Sequence, residues 1–206
     1  TPSTRSSTTQ APGWSFAPHY AELDDLDGGT LRVHYVDEGP ADAAPVLLMH
    51  GEPSWSYLYR HMIPPLVAAG HRVIAPDLVG FGRSDKPTER SDYTYARHVE
   101  WMRELLFDHL DLRDITFFGQ DWGGLVGLRV LALAPDRSAR VAIGNTGLPT
   151  GLGPASDAVM ARHKFSQETP EIDIGILIDH ATTTDLTPAD SAGYDAPFPD
   201  DTTKPR

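Results

Sequence analysis

The sequence Phe117-Phe118-Gly119-Gln120-Asp121-Trp122-Gly123-Gly124 decides the fold prediction for this 206-residue chain. Its first two residues end the apolar run 115–118, and it precedes the apolar helical stretch 125–133. A G-x-D-x-G sequence between a buried strand and a buried helix predicts a nucleophile elbow, a sharp turn that presents its central residue, here Asp121. The neighbours of that residue must be small, and the helix N-terminus behind it favours a negative charge. The alternative is an ordinary strand-to-helix turn that Asp121 caps.

Predicted strands and helices alternate around this motif. Residues 31–36 alternate apolar and polar side chains, as a half-exposed strand does, with an antiparallel partner near 19–23. Apolar runs without alternation are typical of strands buried on both faces, and they occupy 46–49, 73–75, 115–118 and 140–143. Helices are predicted at 57–69, where Pro64 and Pro65 must kink or restart the helix, and at 95–110 and 125–133. The alternation predicts an α/β fold with a mostly parallel, doubly wound sheet.

The pattern changes after Asn145, where Gly, Pro, Thr and Asp become frequent and no further buried strand is visible. Helical patches near 157–165 and 172–180 indicate an inserted helical segment rather than a continuation of the sheet. We therefore predict a flexible N-terminal arm at 1–13, an α/β core at 14–148 and a partial helical cap at 149–206. Since the chain stops at Arg206 without a closing element, we expect it to be C-terminally incomplete, with the last strands of the sheet missing.

Composition narrows the choice of partners. The net charge of −12 argues against nucleic acid and anionic membranes. The absence of cysteine excludes disulfides and thiolate catalysis. No apolar run reaches the roughly 20 residues of a membrane span, and the N-terminus lacks the apolar core of a secretory signal. We expect a cytoplasmic monomer with neither a nucleic acid nor a membrane partner.

A second motif, residues 50–60 with the sequence HGEPSWSYLYR, directly follows the predicted strand 46–49. A strand that ends in His-Gly allows the following loop to pass close to the elbow. Backbone N–H groups of this loop can then face the carboxylate of Asp121 as an oxyanion hole. A lone histidine at a strand end, such as His50, is more often structural than catalytic.

Together, HGEPSWSYLYR and GQDWGG resemble the haloalkane dehalogenases of the α/β-hydrolase family, especially the branch with Glu after His-Gly. Further matches at 36–39, 77–87 and 196–200 extend the resemblance over about 14–200, most densely up to Asn145. It implies an α/β-hydrolase fold with a helical cap, and it implies that Asp121 is the nucleophile. It also implies an oxyanion hole formed by the backbone N–H groups of Glu52 and Trp122, with the Trp122 indole N–H holding the halide.

The resemblance implies a second halide donor in the cap, where this branch has a tryptophan. His163 stands at that place in the sequence, and its imidazole N–H can donate to an anion. The other interpretation is that His163 is a surface residue of a helix.

The implied reaction is the hydrolysis of a small haloalkane to a primary alcohol and halide through an aspartyl ester, with water as co-substrate and no cofactor or metal. Its second step needs a histidine base and an orienting acid. Only His163 and His180 follow Asp121, and neither matches the base position of the family. Asn145 stands where another branch has its acid, so neither base nor acid is found. The ester should therefore form once, and turnover should fail.

Two alternatives stay open. An epoxide hydrolase shares the fold, the aspartate nucleophile and the His-Gly-x-Pro loop, but such enzymes typically use two cap tyrosines as acids. Only Tyr194 lies in the predicted cap, and Gln120 replaces the histidine usual before their nucleophile, so both residues favour the dehalogenase. The other alternative is an inactive, truncated relative.

Overall fold

The strands lie where the sequence pattern places them. The computed structural model describes residues 3–4, 11–25, 27–149, 152–154, 156–168 and 173–198. Its strands are β1 (Ser3–Thr4), β2 (His19–Asp24), β3 (Thr30–Glu38), β4 (Pro45–Met49), β5 (Arg72–Pro76), β6 (Lys86–Pro87), β7 (Ile115–Gln120) and β8 (Ser138–Gly144). Every strand of the core that the sequence predicts is present, extended by one to three residues at its ends.

One six-stranded sheet has the order β2-β3-β5-β4-β7-β8. The pairs β2–β3 and β3–β5 are antiparallel, whereas β5–β4, β4–β7 and β7–β8 are parallel. The prediction of a mostly parallel sheet is therefore confirmed. The short strands β1 and β6 pair separately, so Ser3–Thr4 of the predicted N-terminal arm lies against Lys86–Pro87.

Alternate side chains of the central strand β4 fill two cores. Leu47 and Met49 belong to one apolar cluster, which includes Trp101 of helix 95–103. Val46 and Leu48 belong to the other, which includes Trp55 of the loop after β4. Because successive side chains of a strand point to opposite faces, this division shows that both faces of the sheet are covered at β4.

The prediction that residues 140–143 are buried on both faces is wrong. In β8 the side chains of Val141 and Ile143 are 51% and 41% exposed. Among the described residues, β8 is the last strand in the sheet order and pairs only with β7, and most of its side chains are exposed to solvent. An apolar run looks the same in sequence at the edge of a sheet as at its centre.

Helices α1 (Ile63–Ala68), α2 (Tyr95–Arg103) and α3 (Trp122–Leu133) belong to the core. The predicted helix 57–69 is split into a 3-10 turn, Ser56–Tyr59, and α1, which restarts with Pro64 and Pro65 in its first turn. The predicted helix 95–110 is α2 followed by a π-helical segment, Glu104–His109. α3 begins directly after Asp121, and short 3-10 turns lie at Arg90–Asp92 and Pro135–Arg137.

The cap region contains α4 (Asp157–Glu168), α5 (Ile174–Ala181) and α6 (Pro188–Asp195). The sequence predicts α4 and α5 but misses α6, whose composition is largely polar. Its signal is a capping box between Thr187 and Asp190. The domain boundaries stay a prediction, although Ala11 of the predicted arm is buried. Over the described ranges, no helix has the length and apolarity needed to cross a membrane.

Candidate active site

The turn between β7 and α3 places Asp121 at the end of a buried strand. Asp121 has φ 53° and ψ −124°, a backbone conformation that residues other than glycine rarely adopt. A Cβ added to Gly123 would overlap the carbonyl oxygen of Met49, so α3 can start against β4 only with glycine there. The local geometry is that of the elbow that the sequence predicts.

The loop after β4 reaches the carboxylate of Asp121. The backbone N–H of Glu52 donates to Asp121 Oδ1 at 3.0 Å. A Cβ added to Gly51 would overlap Asp121 Cβ, so the loop lies directly against the nucleophile candidate. The structure thus brings together Glu52 and Asp121, which the sequence predicts as parts of one site.

Trp122 is the first residue of α3, and its side chain is 42% exposed. Its ring centroid lies 6.3 Å from that of Tyr95, whose hydroxyl donates to the carbonyl of Leu125 at 3.0 Å. The sequence prediction missed Tyr95, and its place at the start of a predicted helix gave no signal of this contact. The roles of the Trp122 backbone N–H in the oxyanion hole and of its indole in halide binding stay predictions.

His163 is not brought to Asp121. It lies on α4, where every side chain that the structure describes is exposed except the half-buried Ser166. Among the described residues its ring forms no hydrogen bond or ring contact with Asp121 or Trp122. His180 is exposed on α5, and Asn145 is exposed after β8. The structure therefore supports the surface interpretation of His163 in this arrangement of the cap.

Two buried polar side chains that the sequence prediction did not place in the site lie behind the loop. His50 Nε2 accepts from the N–H of Leu78 at 3.0 Å, and His50 Nδ1 lies 3.0 Å from the carbonyl oxygen of Gly51. Burial lowers the pKa of His50, against the opposing charges of Asp77 and Asp121.

Asp77, the second buried side chain, ties three segments together. Its Oδ1 accepts from the N–H of Ser56, and its Oδ2 accepts from the N–H of Arg83 and from His34 Nδ1, each at 2.8 Å. Burial alone would raise the pKa of Asp77, but His34, His50 and the Arg83 N–H together hold it well below its usual range. The ionised carboxylate therefore links the loop after β4, the loop after β5 and strand β3.

In the described parts of the chain, no group of three or more His, Asp and Glu side chains could hold a metal ion. The site itself combines the Asp121 carboxylate, at a positive-φ elbow, with the Glu52 backbone N–H donor against it.

Comparisons with known proteins agree with this geometry. A family model described as alpha/beta hydrolase fold matches residues 44–185. The structure of the tetrameric haloalkane dehalogenase DpaA from Paraglaciecola agarilytica NO2 superposes with a TM-score of 0.90 at 38% identity, covering 99% of this chain and 69% of that one. The chain belongs to the haloalkane dehalogenase family of α/β-hydrolase folds.

Curated dehalogenases of this family are also similar in sequence. The haloalkane dehalogenase of Psychrobacter cryohalolentis is 60% identical over 193 residues, which is 94% of this chain and 63% of the relative. That of Mycobacterium marinum is 53% identical over 188 residues, which is 91% of this chain and 63% of the relative. The chain thus spans less than two thirds of the length of both.

In this dehalogenase-family chain, the cap contacts the loop after β4 and the turn that follows it. Arg60 Nη2 donates to Asp190 Oδ1 of α6 at 2.6 Å, and its guanidinium lies 4.2 Å from the ring centroid of Tyr57. Tyr194 packs edge-on against Tyr57 at 5.1 Å, and Trp55 Nε1 donates to the carbonyl of Gly193 at 3.2 Å. The described part of the cap is therefore anchored through α6.

Proposed function

We propose that Asp121 displaces halide from a primary carbon of a small haloalkane and forms an alkyl ester. The observation that carries this proposal is the 3.0 Å hydrogen bond from the Glu52 N–H to Asp121 Oδ1 at a residue held in a positive-φ elbow. The relatives named above support the substrate class, because they are haloalkane dehalogenases.

The first step needs orientation rather than a proton. With Oδ1 bound to the Glu52 N–H, Oδ2 is the oxygen that attacks the carbon, and the carbon–halogen bond breaks with both electrons leaving on the halide. The Trp122 indole N–H is the donor that we assign to the departing halide. A halide is weakly basic, so a hydrogen-bond donor and a dry site are sufficient for it to leave.

The second step is attack by water on the carbonyl carbon of the ester, which releases a primary alcohol and regenerates Asp121. The developing oxyanion on Oδ1 would be stabilised by the Glu52 N–H, with the Trp122 N–H as the second donor. The histidines that follow Asp121 are His163 and His180, and neither matches the base position of the family, so we assign neither as the group that deprotonates that water. We therefore propose that the ester persists in this chain.

The proposed function also includes a cellular location and an oligomeric state for the protein. We propose a cytoplasmic protein that acts on a haloalkane and water. The expected monomer differs from the relative from Paraglaciecola agarilytica, which is described as tetrameric. Light scattering on a size-exclusion column would decide between the two states.

Halide release tests the function. On mixing with excess 1,2-dibromoethane, we expect about one equivalent of bromide per chain, and none from Asp121→Ala. An epoxide hydrolase would instead form a diol from styrene oxide, and an inactive relative would release nothing. The epoxide alternative is disfavoured because the Tyr194 side chain is buried against Tyr57 and Arg60. Diol formation without bromide release would overturn the proposal.

A further inference from the structure

We propose that His50 is a positioning residue, whose neutral ring with hydrogen on Nδ1 aims the Glu52 N–H at Asp121. This inference rests on the proposed alkylation of Asp121 but concerns a residue outside the reacting groups. His50 is fully buried and directly follows β4, one residue before Gly51.

The hydrogen-bond partners of the ring fix its tautomer. The backbone N–H of Leu78 can only donate, so His50 Nε2, at 3.0 Å from it, must accept and carries no hydrogen. The carbonyl oxygen of Gly51 can only accept, so His50 Nδ1, at 3.0 Å from it, must carry the hydrogen. Both contacts are satisfied only by the neutral ring with hydrogen on Nδ1.

The bond to Gly51 controls the oxyanion donor because both groups belong to one peptide plane. The carbonyl of Gly51 and the N–H of Glu52 point in opposite directions across their shared, planar trans peptide bond. Ser54 adds two more donors to that carbonyl, its backbone N–H and its hydroxyl, each at 2.9 Å. With the carbonyl held from one side, the Glu52 N–H is turned toward Asp121 Oδ1.

The same geometry excludes His50 as the base of the second step. Both ring nitrogens are engaged, and the groups that face the ring are Asp77, Asp121, His98 and the edge-on ring of Phe81 at 5.7 Å. A proton added at Nε2 would point at the N–H of Leu78 and break that bond. Burial lowers the pKa of His50, so the neutral ring is the form present at pH 7.

Two amide variants of His50 distinguish the role of its hydrogen bond to Gly51 from that of its hydrogen bond with Leu78. His50→Asn keeps a donor at the position of Nδ1, whereas His50→Gln offers an acceptor near Nε2 and loses the donor to Gly51. We would measure the rate of Asp121 alkylation by 1,2-dibromoethane as a function of its concentration, by intact mass. We expect His50→Gln to lower the saturating rate about 10- to 100-fold with little change in the half-saturating concentration. His50→Asn should stay within about threefold of the parent.

A structural role alone would give a different result. It would reduce the folded fraction of both variants, measured by thermal melting, without changing the rate per folded chain. His71→Asn, at an exposed position, is the matched control and should alkylate at the parent rate. Equal saturating rates for the parent, His50→Asn and His50→Gln would overturn the inference.

Nitrogen-15 NMR of the His50 ring in the unmodified chain gives an independent test. At pH 7 we expect a protonated Nδ1 and an unprotonated Nε2, and either the opposite tautomer or an imidazolium would overturn the inference. If the parent chain is not alkylated, the proposed function fails, while this spectrum still decides the state of His50.

Discussion

The backbone N–H of Glu52 lies 3.0 Å from Asp121 Oδ1, although 69 positions separate the two residues in the sequence. The parallel pairing of β4 and β7, in which Met49 stands opposite Gly119, brings the ends of both strands to the same edge of the sheet. Each residue follows its strand within three positions. The sheet topology therefore assembles the site before any side chain of the cap contributes.

Replacing Gly51 by alanine should separate this pair. The added Cβ would overlap Asp121 Cβ, so either the loop or the carboxylate must move. A displacement of about 1 Å at a reacting group can lower a rate about 100-fold, and we expect a loss of that order in the alkylation of Asp121. Gly147→Ala is the control, because a Cβ there has no neighbour within 4 Å. Equal alkylation rates for the two variants would show that this contact does not position the carboxylate.

Asp77→Asn should destabilise the fold. The amide group would place a donor against backbone N–H donors and would remove the charge that faces His34. We expect the free energy of unfolding, from urea titration at pH 7, to fall by about 2–4 kcal/mol. Asp42→Asn, at an exposed position, should change it by less than about 0.5 kcal/mol. A loss at Asp77 no larger than at Asp42 would contradict the tethering role.

Acid should weaken the stabilisation that the hydrogen bonds of the Asp77 carboxylate provide. Because the pKa of Asp77 is held below its unfolded value, its contribution is fully present above that unfolded value, which lies near pH 4. It is lost as the pH falls further toward the folded pKa. The difference in free energy of unfolding between the parent and Asp77→Asn should therefore shrink below about pH 4. A difference that stays constant down to about pH 2.5 would contradict the assigned ionisation.

Lys86 should make folding more favourable as the pH rises through the alkaline range. Its Nζ donates to the carbonyls of Gly82 and Ser84, and burial lowers the pKa of Lys86 to about 8 against the charges of Asp77 and Asp85. Between about pH 8 and 10.5 the unfolded chain holds one more proton than the folded chain, so folding becomes more favourable as the pH rises.

The measurement is the free energy of unfolding of the parent minus that of Lys86→Met, at pH 7 and pH 10. We expect this difference to rise by about 2–3 kcal/mol. The same subtraction for Lys164→Met should stay flat, since the Lys164 side chain is 71% exposed. A flat difference for Lys86 would contradict the lowered pKa.

The contact between Arg60 and Asp190 should couple the cap to the core. Both side chains are largely buried, at 10% and 25% exposure, and their nitrogen–oxygen distance is 2.6 Å. A double-mutant cycle with Arg60→Gln and Asp190→Asn should give a coupling of about 1–2 kcal/mol in the free energy of unfolding. The exposed pair Lys164 and Glu168, 3.9 Å apart on α4, should give less than about 0.5 kcal/mol. Equal couplings would show that α6 is not anchored by charge.

Local patterns in the sequence are sufficient to predict the centre of the site. Glu52 and Asp121 each lie three positions after an apolar run, so their meeting at one sheet edge could be expected from the parallel pairing of those strands. The exposure of β8 could not be predicted, because an apolar run has the same sequence whether other elements cover it or not. The position of His163 depends on how α4 lies on the core, which sequence position alone does not specify.

The hydrogen bonds of Asp77 and His50, behind the loop after β4, could not be predicted from the sequence either. Asp77 and His50 bind backbone N–H and C=O groups, and every residue type except proline offers both groups. Their partners are therefore set by the path of the loops rather than by residue identity. Only the three-dimensional arrangement shows which backbone groups these two side chains bind.

Peptide mapping by mass spectrometry after exposure to 1,2-dibromoethane tests the assignment of Asp121 as the nucleophile. We expect one 2-bromoethyl ester on the Asp121 carboxylate, with one bromide released per chain and no adduct on Asp121→Asn. Bromide release without an adduct in the parent at any time, or an adduct that survives in Asp121→Asn, would contradict it.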